Sequence, residues 1–573
     1  MQHTLSLNNL IFRMFITAGF FGAITALTAC APDTAKNQRP IIEKPIDPPV
    51  TPDGTTVAEE NAEINWFTKS SELDGVEGVG ADRAYKDLGL RSDGDPVIVA
   101  VVDSGVDIGH EDLDGRVWIN SKETGLDADG NDKSTNNIDD DGNGYIDDVY
   151  GWNFLGGYDE KGNLVNLENA TLEVTRELVR LKKLQQEREL TVSEKTLLEQ
   201  VSKEVSEARG LATTTIEGLE AGVKELRELY EKVKDLLPEF EKLDVVAVEK
   251  LSEDNPDVVK TKREIIAKFR SILPNAPYTV ARITRFLDYN RSQVDYYYNE
   301  NFDPRKEIVK DNPYDMSDVK YGNNDVKGPD ASHGTHVAGI IAARRDNQLG
   351  IRGIADNVRI MSLRAVPNGD EYDKDVALAV RYAVDNGAKI INMSFGKAYS
   401  PMKKEVDEAF LYAASKGVLL VHAAGNSSLN IDVANNFPNR NTVSQRVING
   451  WLEVGASTSK NGENLPASFS NFGQEAVDIF APGHQITSSV PDKNQYATFS
   501  GTSMASPAVA GVAALILSQR RDLNAAALKS LILRSAKDRS QEMVIRPSDK
   551  LLVRFWSLSV TGAIADVFAA LRN

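Results

Sequence analysis

Cysteine is almost missing from this chain. A single residue, Cys30, rules out an intrachain disulfide. Positive charge is short too. Lys and Arg number 65 against 84 Asp and Glu, a net charge of −19, which excludes the basic face that a nucleic-acid binder normally needs. Histidine is sparse, six in all. His110, His422 and His484 lack the spacing of a metal site, and His3 falls in a segment that reads as a leader. What remains has the composition of a soluble globular protein, 41% apolar and 26% charged. At 573 residues it exceeds one ordinary core, so one large domain with additions is expected.

Residues 14–29 form an apolar run preceded by Arg13. The run is too short for a comfortable membrane span and has the length of a signal-peptide core. It ends Leu27-Thr28-Ala29-Cys30, which resembles a bacterial lipobox. That resemblance implies a lipoprotein signal peptide over 1–29, cleavage before Cys30 and acylation of its thiol. The other reading is an ordinary secretory signal followed by an idle cysteine. Residues 30–60 are polar and Pro-rich and read as an extended tether.

An α/β pattern follows. Apolar runs at 97–102, 358–363, 389–393, 418–423, 452–456 and 477–480 read as buried parallel strands. Helical periods at 335–344, 374–386, 402–416, 503–520 and 524–536 alternate with them, which predicts a doubly covered sheet with its site beyond the strand carboxyl ends. Between 166 and 310 the composition turns to Glu, Lys and Leu. Leu219, Val223, Leu226, Tyr230, Val233, Leu237 and Phe240 keep a heptad rhythm, and Thr191 with Glu194 signals a capping box. Gly210, Gly218 and Gly222 weaken the middle. A helical hairpin with further helices at 258–273 and 278–290 is expected, either a bundle on its own apolar stripe or an arm that docks substrate or an unknown partner.

Three stretches carry the chemistry: Val101-Val102-Asp103-Ser104-Gly105, His333-Gly334-Thr335-His336-Val337-Ala338-Gly339 and Gly501-Thr502-Ser503-Met504-Ala505-Ser506-Pro507. Each sets one reactive side chain among small residues that let backbone pack closely. A serine hydroxyl attacks a peptide carbonyl when histidine takes its proton and a buried carboxylate fixes the imidazole tautomer. Ser503 stands at a helix start, where the dipole favours developing negative charge. The order Asp, His, Ser is that of subtilisin. The motifs resemble the subtilase family residue for residue, over about residues 61–165 and 311–540.

That resemblance assigns catalytic roles to Asp103, His333 and Ser503. Ala423-Ala424-Gly425-Asn426 matches the family segment whose Asn amide donates to the oxyanion, here Asn426. Asn392-Met393-Ser394-Phe395-Gly396 resembles the strand that pairs with extended substrate, so Ser394, Phe395 and Gly396, with Ala424 and Gly425, are candidate substrate-binding residues. It further implies that His336 packs behind the active-site helix and that Met504 is a soft spot for oxidation. Many secreted subtilases carry a folding prodomain, and residues 31–60 offer too little room for one. In a host with two membranes the outer one is implied.

Between Asp103 and Asp148 stand 14 Asp and Glu against 3 Lys and Arg. Asn137, Asp139, Asp141, Asn143 and Asp148, with Gly142 at the sixth position, follow a calcium-loop template. Asn at the first place and Asp at the twelfth depart from it. A structural calcium, which subtilases often use on surface loops, is one reading; an Asp/Asn/Gly turn cluster without an ion is the other. Asp127-x-Asp129-Gly130-Asn131-Asp132 is a second ion loop or a solvated turn.

The expected protein is α/β, with a subtilisin-like doubly covered, mostly parallel sheet. Its catalytic domain is divided into 61–165 and 311–540 by an α-helical insertion at 166–310, and 541–573 carries no motif and reads as a last helix packed on the body. The expected activity is that of a serine endopeptidase acting on protein or peptide substrates through an acyl-enzyme, held to the cell envelope through lipidated Cys30. One alternative is a non-catalytic surface lipoprotein that binds through its helical insertion. Another is a protease confined to maturing one envelope protein.

Overall fold

The computed structural model describes residues 64–90, 94–272, 278–492 and 495–572. The expected signal segment, Cys30 and the expected Pro-rich tether lie outside the described residues. The strands are β1 Val97–Asp103, β2 Gly151–Asn153, β3 Val358–Arg364, β4 Ile390–Met393, β5 Leu419–Ala423, β6 Trp451–Ser457, β7 Ile479–Pro482, β8 Lys537–Asp538 and β9 Ala563–Ile564. Among the described residues they make one nine-stranded sheet, in the order β8-β9-β7-β6-β5-β4-β1-β3-β2. All its pairs are parallel except β8 with β9.

Strand residues alternate between two cores, as the period of two requires. Val97, Val99 and Val101 of β1 enter one cluster, and Ala100 and Val102 enter the other. In chain order the main helices are α1 Glu173–Glu187, α2 Val192–Tyr230, α3 Pro256–Ile272, α4 Val280–Ser292, α5 Ser332–Ala342, α6 Asp373–Asp385, α7 Lys403–Ser415, α8 Thr502–Gln519, α9 Ala525–Ser535 and α10 Val567–Arg572. Helices α5, α8, α9 and α10 cover the first face, and α6 and α7 the second. Helix α8 is long and apolar enough to cross a membrane, yet its window is 89% buried. It is the central core helix, packed against β4, β5, β6 and β7.

Two expectations are corrected. The run at 477–480 begins its strand at Ile479, because Asp478 is taken up by charge. Its carboxylate holds Arg440 at 2.8 Å and Lys529 at 3.0 Å and accepts the Glu453 N–H at 2.9 Å. The motif-free tail adds more than a last helix. It supplies β9 and a hairpin, Met543–Ile545 with Leu552–Arg554, and seats the buried Phe555 against Phe480 at 5.0 Å between ring centroids.

The insertion holds α1 to α4. Helix α2 opens on the expected capping box: Thr191 accepts from the Glu194 N–H and Glu194 accepts from the Thr191 N–H at 2.8 Å. The three glycines do not break it, and it runs 39 residues. At Gly222 an added Cβ would come within 2.8 Å of Ile272, so the missing side chain lets α3 approach. The heptad outlasts the helix. Beyond Tyr230 the chain turns, and Val233 and Phe240 reach the same core from 3-10 turns at Lys234–Leu236 and Phe240–Lys242. Two cores result. Leu219, Leu226, Ile265, Phe269, Ile283 and Leu287 build a distal one, while Val174, Leu178, Leu181, Val201, Val205 and Tyr297 build a proximal one beside Tyr399 of the α/β body.

Candidate active site

Asp103 ends β1, between β4 and β3, where a carboxylate emerges from the strand's carboxyl end. It is 2% exposed. Its Oδ1 accepts the Ser104 N–H at 2.7 Å and lies 2.7 Å from Nδ1 of His333, the second residue of α5. Gly334 allows that approach: a Cβ there would sit 2.1 Å from the Gly105 carbonyl oxygen. A carboxylate on Nδ1 holds the proton there, so Nε2 is left to accept one.

Ser503 is the second residue of α8 and the partly exposed one in a buried first turn. Its Oγ donates to the Ser394 carbonyl at 3.3 Å, and Ser394 Oγ donates to the Ser503 carbonyl at 3.0 Å. Asn392 Nδ2 donates to Ser394 Oγ at 2.9 Å, which ties the expected substrate strand to the α8 N-terminus. Asn426 Oδ1 accepts the Thr502 N–H at 2.8 Å and the Thr502 hydroxyl at 3.0 Å. The amide nitrogen lies beside Gly501, the residue before α8, where an added Cβ would come within 3.4 Å of it. The Gly425 N–H donates to Thr502 Oγ1 at 3.0 Å, and the Ala424 carbonyl takes Asn471 at 2.8 Å and Asn436 at 3.2 Å. Phe395 is buried and Gly396 partly exposed. Met504 is buried beside Ser503. His336 is buried, its Nε2 lying 3.0 Å from the Ile486 carbonyl and its ring stacked on Phe499, and burial pulls it down to about 3.

Behind the strand lies a buried ionic network that joins the insertion to the body. Lys397 Nζ lies 2.8 Å from Glu173 of α1 and 2.7 Å from Asp373, and donates to the Glu371 carbonyl at 2.8 Å. Arg176 pairs with Glu173 at 2.7 Å and lies over the Tyr372 ring. Burial alone would raise Glu173, but Arg176 and Lys397 outweigh it and hold the carboxyl at about 2. Glu371 goes the other way: burial pushes it up to about 8, Asp370 adds to the rise and Lys397 opposes it. Neither Glu371 carboxyl oxygen has a hydrogen-bond partner among the described residues.

In the acidic loop, Glu123, Asp139 and Asp141 bring carboxyl oxygens within 4.8 Å of one another. Glu123 lies outside the template read from the sequence. Its Oε2 is buried without a hydrogen-bond partner among the described residues, and burial and the Asp148 charge push it up to about 7. This donor set suits a hard cation. Asp148 stands one step away. It accepts from Asn120, Asn143 and Tyr382, and burial raises it to about 6. Asn143 Oδ1 accepts the Tyr145 N–H at 2.8 Å, and the Asn137 N–H donates to Asp147 at 3.2 Å. Asp127 accepts from the Asp129 and Asn131 N–H groups, forming an exposed turn.

Nothing in the sequence singles out Glu123, and beyond the missing metal-site spacing of His422 nothing singles out His422 or Glu453. Only the matching burial of an isolated His and Glu in apolar strand runs hinted at the last two.

The model of the subtilase family (peptidase S8) matches residues 94–547. The thermophilic serine proteinase of Bacillus sp. strain AK1 is 38% identical over 244 residues, 42% of this chain and 53% of that protein. Thermitase of Thermoactinomyces vulgaris is 40% identical over 190 residues, 33% of this chain and 62% of its own. Subtilisin DY of Bacillus licheniformis is 36% identical over 208 residues, 36% of this chain and 70% of its own. The chain thus spans about half the length of the first of these relatives. With a family match over most of its residues, the chain belongs to the subtilase family.

Proposed function

We propose that this protein is a serine endopeptidase in which Ser503 is the nucleophile, His333 the general base and Asp103 the residue that orients it. The observation that carries the reading is the 2.7 Å contact of Asp103 with His333 Nδ1, which leaves Nε2 as the base. In the first step Ser503 Oγ bonds to the substrate carbonyl carbon and its proton passes to Nε2. The charged carbonyl oxygen takes hydrogen bonds from Asn426 Nδ2 and the Ser503 N–H. The tetrahedral species collapses to an acyl-enzyme as the imidazolium returns the proton to the leaving amine. Water then repeats the sequence in reverse. Ser394, Phe395 and Gly396 pair with the extended main chain of the substrate, which tolerates many side chains. Hydrolysis of casein by the purified chain, abolished in Ser503→Ala with melting unchanged, supports the reading. Undiminished hydrolysis by Ser503→Ala overturns it.

The lipobox resemblance at Leu27-Thr28-Ala29-Cys30 supports anchoring in the cell envelope. Cys30→Ser should release the protein from membranes, and retention by the variant would refute the anchor. Glu123, Asp139 and Asp141 would hold a structural calcium, which would neutralise their mutual repulsion and fix the loop that ends in β2. Chelation should lower the melting temperature and expose the loop to proteolysis. No change in either would remove the ion from the proposal.

A further inference from the structure

His422 stands in the apolar run of β5, and its side chain is fully buried. Its Nε2 lies 2.8 Å from the Phe395 carbonyl oxygen and its Nδ1 2.9 Å from Glu453 Oε1 on β6. Trp451 Nε1 donates to the other oxygen of Glu453 at 2.8 Å. A carbonyl only accepts, so Nε2 carries hydrogen and points it at Phe395. Every polar atom of the pair is satisfied, which is what makes its burial tolerable. The outlet of this buried polar network is one peptide group of the substrate strand.

We propose that His422 and Glu453 are positioning residues for substrate binding. His422 clamps the Phe395 carbonyl inward, and Glu453 orients the ring. This rests on the protease reading above. A trans peptide is planar, so drawing the Phe395 C=O toward the core turns the Gly396 N–H the opposite way. Gly396 is partly exposed while Phe395 and Lys397 on either side are buried. The clamp therefore aims the Gly396 N–H outward as a donor for a substrate carbonyl. Ser394, one residue before Phe395, is tied to Ser503 by two hydrogen bonds, so the clamp also fixes the register between the pairing edge and the nucleophile. An edge held in its binding conformation loses less freedom when peptide adds to it.

The test compares full-chain variants on an extended tetrapeptide amide and a single-residue ester. His422→Met with Glu453→Met removes donor and carboxylate together and strands neither. Its kcat/KM should fall about tenfold more on the tetrapeptide than on the ester, mostly through KM, as expected for one lost hydrogen bond. His422→Gln, whose amide nitrogen can stand where Nε2 stands, should recover most of the difference. In a Ser503→Ala background, amide exchange across 394–397 should quicken about tenfold in the double variant and stay near the parent in His422→Gln. Equal losses on both substrates, or unchanged exchange, overturn the proposal. Should the double variant fail to fold, Glu453→Gln carries both comparisons, with expected differences of about threefold. A parent chain that cleaves neither substrate overturns the protease reading. The exchange measurement then decides the role of His422 alone, quickening supporting it and no change overturning it.

Discussion

Asn426 is held by its oxygen, and this sets what its nitrogen can do. Because Thr502 occupies Oδ1, Nδ2 is the atom left to donate, and the proposed mechanism gives it the oxyanion. Asn426→Ala should lower kcat by about 10²–10³ with little change in KM, measured on a peptide amide. Glu371 offers a test of a different kind. Its folded pKa of about 8 lies above the ordinary 4.5 of the unfolded chain, so the native state binds more protons between them. Its contribution is full below about 4.5 and is lost as pH rises through about 8. The groups that face it are Asp370, Asp373 and Lys397, with Arg176 and Glu173 behind. Melting of the Ser503→Ala protein should fall from pH 5 to pH 9, and adding Glu371→Gln should flatten that fall. An unchanged slope would show that Glu371 does not titrate in this window. Asp103, His333, Ser503 and Asn426 stood out as candidates because each sits in a short motif of small residues. Glu123, His422 and Glu453 did not, since what makes them matter is a partner on another loop or strand.

Helix α1 belongs mechanically to the body, whereas α3 and α4 close a core of their own with the distal half of α2. Lys397→Met would leave Asp373 buried without its cation and Glu173 with Arg176 alone, and stability should drop by about 3–5 kcal/mol in denaturant titration. Replacing residues 213–291 by a short Gly/Ser linker spares that network and should preserve casein hydrolysis within about threefold, whereas cutting at 167 removes Glu173 and Arg176 and should abolish it. Equal loss from both deletions would mean that the distal bundle also shapes the cleft. The strands and helices of the body were readable because strongly apolar runs alternate with amphipathic ones. The end of α2 was not, because Val233 and Phe240 stay buried after the backbone has left the helix. Strands β8 and β9, at one margin of the sheet, escaped because two residues carry no period.

At the scale of the molecule, a sheet covered on both faces gathers residues 103, 333, 426 and 503 at one end. Three stretches of chain of very different length join them, and the longest accommodates a helical insertion without displacing β2 from β3. The sheet was foreseeable from strand–helix alternation, and the division of the insertion into two cores was not, since the heptad stripe marks the distal core alone and the proximal one draws on Tyr297 and Tyr298 from far along the chain. The most direct measurement is intact-mass analysis after treatment with a fluorophosphonate. One adduct, mapped to Ser503, absent in Ser503→Ala and much slower to form in His333→Ala, is the predicted result. Labelling at another residue, or none in a folded chain, would contradict the proposal that these side chains form one nucleophilic site.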